Sequence, residues 1–291
     1  RGEPNPLERM ISLLHGYLLE GSGSNLWTRL IVEALCRQGR TVHVMAQENH
    51  PERYPFITEC RRYMQDGTVE STTYDSNPYS GSCILHKPML GDTLPVYVWD
   101  RYEEFTRVIP MVELTNDEIE SYLEWNARVL ARVVAENGIT AIHANHSVLM
   151  PQVAMRVTAT SGVPFAIMPH GSALEYAVRP DPRFREYARE ALTHAKNVLV
   201  SSAELGERVL HVLLAQLHPG AGEVALGPRG VQGDARLLVL AGPSRRHRRE
   251  QRGLAEPRRR PAWLAAGAHA FLDLQPLLGL AGEQAGELPV P

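Results

Sequence analysis

Residues 10–47 read MISLLHGYLLEGSGSNLWTRLIVEALCRQGRTVHVMAQ, and the order of residue types in that stretch decides the fold. Met10–Leu19 is an apolar run of strand length, followed by Glu20-Gly21-Ser22-Gly23-Ser24. From Asn25 the period changes. Leu26, Leu30 and Ala34, with Trp27, Ile31 and Leu35, recur at i, i+4 and share one helical face, and Gly39 supplies the left-handed stop. Thr41–Gln47 is then a second strand, rich in β-branched residues. Strand, glycine turn, helix and strand make a βαβ unit.

Downstream the signal first weakens, then returns. Residues 50–114 carry Pro51, Pro55, Pro88, Pro95 and Pro110, several aromatics and no sustained period, which predicts short strands and loops forming a lobe beside the sheet. Thr115-x-x-Glu118 is a capping box that opens a helix running toward Gly138. Ile139–Ala144 reads as a buried strand, Pro151–Ser161 as a helix ended by Gly162, and Val163–Met168 as the next strand. Phe184–Ala195 is helical, Asn197–Ser201 is a strand, and Ser201-x-x-Glu204 caps a last helix. The expected fold is α/β, a doubly wound parallel sheet with ligands at the C-terminal ends of its strands.

At 291 residues the chain has room for about two domains of roughly 100 to 200 residues each. A hydrophobic share of 44% and a charged share of 22% read as globular, and a net charge of −3 argues against an overall basic nucleic-acid binder. No run approaches the ~18 apolar residues of a spanning helix. His15 and Gly16 interrupt the only leader-like stretch, so no secretory layout is read. Cys36, Cys60 and Cys83 form no CxxC pair, which points away from a disulfide scaffold or zinc ribbon and toward a reduced, cytoplasmic setting.

One boundary breaks the averages. Residues 1–210 contain 54 Ile, Thr, Met, Tyr, Asn, Lys and Cys, and residues 211–291 contain none. Eleven of the 23 glycines and a run of eight arginines at positions 245–260 fall in those last 81 residues. The expected organisation is a disordered leader over 1–9, one Rossmann-like domain over 10–210, and a low-complexity, poorly structured tail over 211–291. That tail has the composition of a shifted reading frame in a GC-rich gene or of a truncated remnant, so the chain is read as a fragment.

Three places carry the chemistry. The Gly21–Ser24 turn precedes a helix N-terminus, where backbone N–H groups and the helix dipole suit an anionic or hydroxyl-rich ligand. It fails the GxGxxG dinucleotide pattern, since Leu26 stands at the third position; Glu48 could still imitate a ribose-binding acid, and a purely structural glycine turn also fits. His143-Ala144-Asn145-His146 ends a strand, where alternation sends His143 and Asn145 to one face and Ala144 and His146 to the other; Asn145 or His146 is the cleft candidate, against a packing role. Pro169-His170-Gly171-Ser172 follows another strand, with Glu175 and Tyr176 one turn on, and is the most functional-looking of the three. GxSxG, a Walker lysine (Lys87 and Lys196 are the only lysines) and HExxH are missing, which argues against a hydrolase elbow, a P-loop NTPase and a zincin.

With those residues in place, the chain resembles the N-terminal half of family 4 glycosyltransferases, which have the two-Rossmann-domain (GT-B) architecture. The resemblance is carried by HGYLLEGSGSNLWTRLIVEALCRQGRTVHVMAQE, AIHANHSV, GVPFAIMPHGSALEY and AKNVLVSSAELGERV, in that order, over residues 10–210. It implies an acceptor-side domain with Gly21, Ser22, Gly23 and Ser24 near phosphate and acceptor. Asn145, His146, Gly171, Ser172 and Glu175 would lie on the substrate, and His170 would be the catalytic residue beside the transferred sugar. It further implies a nucleotide-sugar as substrate, no cofactor and no metal, and transfer with retention to a sugar, lipid or small-metabolite acceptor. Nucleic acid is not an expected partner, and peripheral contact at the inner face of a membrane is compatible with the lipid case. The family's second domain normally supplies an Arg and Lys pair and an E-x7-E motif, whereas residues 211–291 hold no lysine and no two glutamates eight apart. A non-catalytic nucleotide- or sugar-binding half-domain is therefore the alternative, and a basic tail on an oxidoreductase a distant third.

Overall fold

His15 and Gly16 divide the opening apolar run. The computed structural model describes residues 10–98, 102, 105–214 and 236–239, and in it β1 is Met10–Leu14 alone. The N–H groups of His15 and Gly16 both go to the Met45 carbonyl, at 3.0 and 3.3 Å, so the chain leaves the sheet five residues earlier than its hydrophobicity predicts. α1 (Gly23–Arg37) follows the glycine turn, with Ser22 as N-cap. Its buried row is Asn25, Thr28, Ile31, Val32, Leu35 and Cys36, while Leu26 is exposed and Leu30 and Ala34 are half-buried. The expected Leu26–Leu30–Ala34 face is thus the outer one, because Asn25 and Thr28 find buried polar partners and take the inner row.

The chain continues through β2 (Thr41–Met45), β3 (Ile57–Tyr63), β4 (Val69–Thr73), β5 (Ser82–Pro88), β6 (Thr93–Val96) and β7 (Arg107–Pro110). These are followed by α2 (Asn116–Asn137), β8 (Ile139–Asn145), α3 (Met150–Ser161) and β9 (Phe165–Met168). α4 (Gly171–Ala173) runs into a π turn at Leu174–Val178, and α5 (Pro182–His194), β10 (Asn197–Val200), α6 (Ala203–Leu214) and β11 (Arg236–Val239) complete the order.

Nine of these strands form one sheet in the order β11-β10-β9-β8-β1-β2-β5-β3-β4, and only the β3–β4 pair is antiparallel. Residues 50–114 are therefore not a lobe beside the sheet. β5 lies parallel to β2 from Thr41↔Ser82 to Met45↔His86, and β3 and β4 extend that edge; β6 and β7 alone make a separate parallel ribbon. The prolines that hid this sit at strand ends or in turns: Pro88 closes β5 and Pro51 opens a 3₁₀ turn.

Alternation sends the two faces of the sheet to different helices. Leu13, Val42, Val44, Cys83 and Leu85 pack with Ile31, Val32, Leu35 and Cys36 of α1. Leu14, Met45, Ile142 and Ala144 join the larger core with α2, α3 and α5. The Thr115 box has both limbs, Glu118 N–H to Thr115 Oγ1 at 3.2 Å and Thr115 N–H to Glu118 Oε2 at 2.8 Å. At α6 the cap is Ser202, whose Oγ accepts from Leu205 N–H at 3.1 Å, one residue later than expected.

β11 lies parallel to β10 and pairs Asn197↔Arg236 to Val200↔Val239. The tail is thus not uniformly without structure: four of its residues continue the sheet, because Arg236–Val239 can satisfy the hydrogen-bonding edge that β10 offers. The leader 1–9 and residues 215–235 and 240–291 lie outside the described residues, and with them the expectations for both ends. Among the described residues no helix is long and apolar enough to cross a membrane.

Candidate active site

β1 has β2 on one side and β8 on the other. Its own connection runs through α1 to β2, while β8 runs through α3 to β9 in the opposite direction. That reversal opens a crevice at the C-terminal ends of β1 and β8. Three predicted positions meet there: the Gly21–Ser24 turn after β1, Asn145 and His146 at the end of β8, and His170 after β9.

The turn is shaped from below. Gly21 has φ 94, a conformation that favours glycine. Ser22 Oγ accepts from Asn25 N–H at 3.4 Å and contacts Ser24 Oγ at 3.0 Å. Asn25 Nδ2 donates to the Glu20 carbonyl at 2.6 Å, and Thr28 Oγ1 donates to the Ser24 carbonyl at 2.9 Å. Apart from its chain neighbours and the backbone of its own helix, nothing lies within 4 Å of where a Cβ on Gly23 would stand, so the space over the turn is open.

Beneath it lies a buried polar network. His15 Nε2 is 2.9 Å from Asn25 Oδ1, and His15 Nδ1 is 3.1 Å from Thr28 Oγ1 and 3.2 Å from Asn145 Nδ2. Asn145 Nδ2 also donates to Thr28 Oγ1 at 2.8 Å, and Asn145 Oδ1 meets His143 Nε2 at 3.2 Å. His143 and Asn145 do share a face. Asn145 is fully buried in this network, so any action on a ligand passes through the turn that it supports.

His146 falls beyond β8, where strand alternation no longer governs it. Its φ is 71, the left-handed region that non-glycine residues rarely occupy. Its ring stacks on His15 (5.5 Å, 23°) and meets Tyr17 at 5.3 Å, Tyr97 at 4.6 Å and His170 at 4.9 Å. Trp27 of α1 stacks on His143 at 5.7 Å and stands edge-on to His170 at 5.9 Å. Both ring nitrogens of His146 and Nε2 of His170 are buried without a hydrogen-bond partner among the described residues. Buried polar atoms of that kind call for a bound water or ligand group.

Burial sets the charge here. It holds His15 and His143 down to about 4 and His170 down to about 3, and pushes His146 well below the ordinary imidazole value. The rings are neutral near neutral pH and act as hydrogen-bond donors and acceptors, not as fixed cations. No three metal-capable side chains converge among the described residues.

The remaining predicted residues divide. Gly171 and Ser172 begin α4 beside His170, and an added Cβ on Gly171 would first meet Arg208 Nη1 at 3.6 Å, ordinary contact. Glu175 pairs with Arg179, and with Arg208 at 3.3 Å. Glu48 is no ribose acid: it accepts from Leu19 N–H (2.9 Å), His50 N–H (2.8 Å) and Tyr54 OH (3.3 Å), anchoring the loop before the turn. Sequence reasoning missed His15, Asn25, Thr28 and Tyr97. Asn25 and Thr28 had a signal, two polar residues at i, i+3 on a row continued by Ile31, Val32 and Leu35. Tyr97 had none.

A model of the glycosyl transferase 4-like domain matches residues 22–218. No curated protein matches the chain. Among solved structures, sucrose-phosphate synthase from Thermosynechococcus elongatus is similar at 16% identity over 85% of this chain and 53% of that one, with a TM-score of 0.42. Trehalose-6-phosphate from E. coli bound with UDP-2-fluoro glucose is similar at 10% identity over 85% of this chain and 52% of that one, with a TM-score of 0.45. UDP-N-acetylglucosamine 2-epimerase from Rickettsia bellii gives 7% identity over 69% and 41%, with a TM-score of 0.37. The chain spans about half the length of the first two, 53% and 52%.

Proposed function

The chain belongs to the glycosyl transferase 4-like family, and from that membership we propose that it is the acceptor half of an enzyme moving a sugar from a nucleotide-sugar to an acceptor hydroxyl with retention. The observation that carries the reading is the meeting of an open glycine turn with His146 and His170 at one crevice. The first N–H groups of α1 have no partner within the helix and carry the positive end of its dipole, which suits a diphosphate. His170 Nε2 and the His146 ring nitrogens are left for sugar hydroxyls or a leaving phosphate oxygen. A neutral imidazole serves there as a hydrogen-bond donor whose bond tightens as negative charge grows on the departing phosphate.

In that reaction the acceptor oxygen bonds to the anomeric carbon as the bond from that carbon to phosphate breaks. The nucleoside diphosphate leaves with the bonding pair, and the acceptor proton ends on the phosphate side. The described residues at the crevice supply turn amides and imidazoles but no lysine, and residues 211–291 contain neither a lysine nor two glutamates eight apart. The cations for the diphosphate are assigned to a donor half.

The test is to titrate the chain with UDP- and GDP-hexoses and to follow transfer to glycoside acceptors. Saturable binding that is lost in Gly23→Asp, where a carboxylate enters the open space, is the expected result. Binding indifferent to that change places the ligand elsewhere, and no binding at all rejects the reading. Tight binding that never yields transfer, even with a donor half restored, favours the non-catalytic half-domain.

A further inference from the structure

We propose that His15 is a positioning residue, holding the glycine turn and the His146–His170 pair in one geometry. This rests on the site assigned above and deepens it, since the turn and the pair are the parts given there to ligand.

The donor logic fixes one tautomer. Asn25 Nδ2 is committed to the Glu20 carbonyl, so Oδ1 is the atom that faces His15 Nε2, and Nε2 carries the proton. Nδ1 is then an acceptor for Asn145 Nδ2, whose second proton goes to Thr28 Oγ1, the Thr28 hydroxyl proton being committed to the Ser24 carbonyl. Both shoulders of the turn are tied to this single ring. The Glu20 carbonyl is reached through Asn25, and the Ser24 carbonyl through Asn145 and then Thr28. The face of the same ring stacks on His146, which in turn meets His170.

A purely space-filling residue would not need this. His15 follows the four buried strand positions Ile11–Leu14, where leucine would fill the volume without desolvating an imidazole. The ring is instead bonded through both nitrogens, to Asn25 of α1, which grips the turn, and to Asn145, which holds Thr28. The consequence is coupling: a shift of the turn moves Asn25 and Thr28, and through His15 reaches the ring stacked beneath His170.

The experiment uses the full chain uniformly labelled with ¹⁵N. His15→Phe keeps a ring on His146 and removes every hydrogen bond, whereas His15→Gln retains a donor within reach of Asn25 Oδ1. In His15→Phe the side-chain amide protons of Asn25 and Asn145 are expected to exchange about tenfold faster, the loss of one net hydrogen bond each. The His146 imidazole nitrogens should shift, affinity for uridine diphosphate should fall by a similar factor, and backbone amides of α2 and α3 should stay within about twofold. His15→Gln should recover slow exchange at Asn25 but not at Asn145. If His15→Phe does not fold, His15→Gln carries the test alone, with faster exchange at Asn145, slow exchange at Asn25 and shifted His146 resonances as the expected result and no change at any of them overturning the proposal.

Unchanged amide exchange and imidazole resonances in folded His15→Phe would overturn the proposal, as would acceleration spread evenly over α2 and α3. A parent chain that does not bind uridine diphosphate rejects the functional reading, and the amide and imidazole signals then judge His15 independently.

Discussion

Replacing His170 with alanine, in a protein carrying a complete donor half, is expected to lower kcat by roughly 100- to 1,000-fold, the loss of one well-placed transition-state hydrogen bond. Acceptor KM should move far less, and unchanged turnover would reduce His170 to packing. The same buried rings govern stability in acid. His15, His43 and His143 are held down to about 4 and His170 to about 3, in each case chiefly by burial. Their folded values lie below the unfolded value of about 6.5, so the unfolded chain binds more protons throughout that interval. Stability is complete above pH 6.5 and is lost as pH falls toward 4, before most carboxylates protonate. Urea melts between pH 7.5 and 4.5 should show that slope, and a flat profile would mean the rings are hydrated. The meeting of His146 and His170 was legible in the sequence because the ends of parallel strands gather along one edge of the sheet. His15 was not, because a histidine after four apolar residues looks like an interruption of a strand, and its partners come from a helix and from a strand far along the chain.

Gly81 separates two uses of glycine among the elements. A Cβ there would stand 2.3 Å from the Arg40 carbonyl oxygen and 2.4 Å from its nitrogen, where Gly81 N–H bonds the Cys36 carbonyl and Ser82 N–H the Arg40 carbonyl. The obstruction is backbone and cannot swing aside, so Gly81→Ala should lose more than about 3 kcal/mol by parting the end of α1 from the start of β5. Gly138, the stop of α2, has φ 62 with nothing within 4 Å of an added Cβ. Gly138→Ala should therefore lose only about 1–2 kcal/mol of backbone strain. Chemical denaturation of both variants checks the order, and equal losses would refute it. Helices with their own punctuation, such as Thr115 to Gly138, were readable to within a residue. β3, β4 and β5 were not, since their place in the sheet depends on pairing with β2, and local proline content says nothing about a partner elsewhere in the chain.

On the scale of the whole molecule, β11 covers the outer edge of β10. A chain ended after Leu214 exposes that edge, and is expected to melt several degrees lower and to self-associate with rising concentration. Light scattering and thermal melts of the shortened chain check this; an unchanged, monomeric melt would show that Arg236–Val239 contributes nothing. The doubly wound order was legible because each βα succession carries its own turn, while the role of the tail was obscured by its uniform composition. The bond from Asn145 to His15 joins groups 130 residues apart in the chain. Such a contact has a slow history, because the entropy of closing so long a loop is spent before any of its bonds exist. During synthesis β1 and the glycine turn emerge well before β8. Until β8 arrives beside β1, the turn has a helix behind it but no floor, so competence to hold a ligand is acquired late in folding, when the middle of the chain closes upon its beginning.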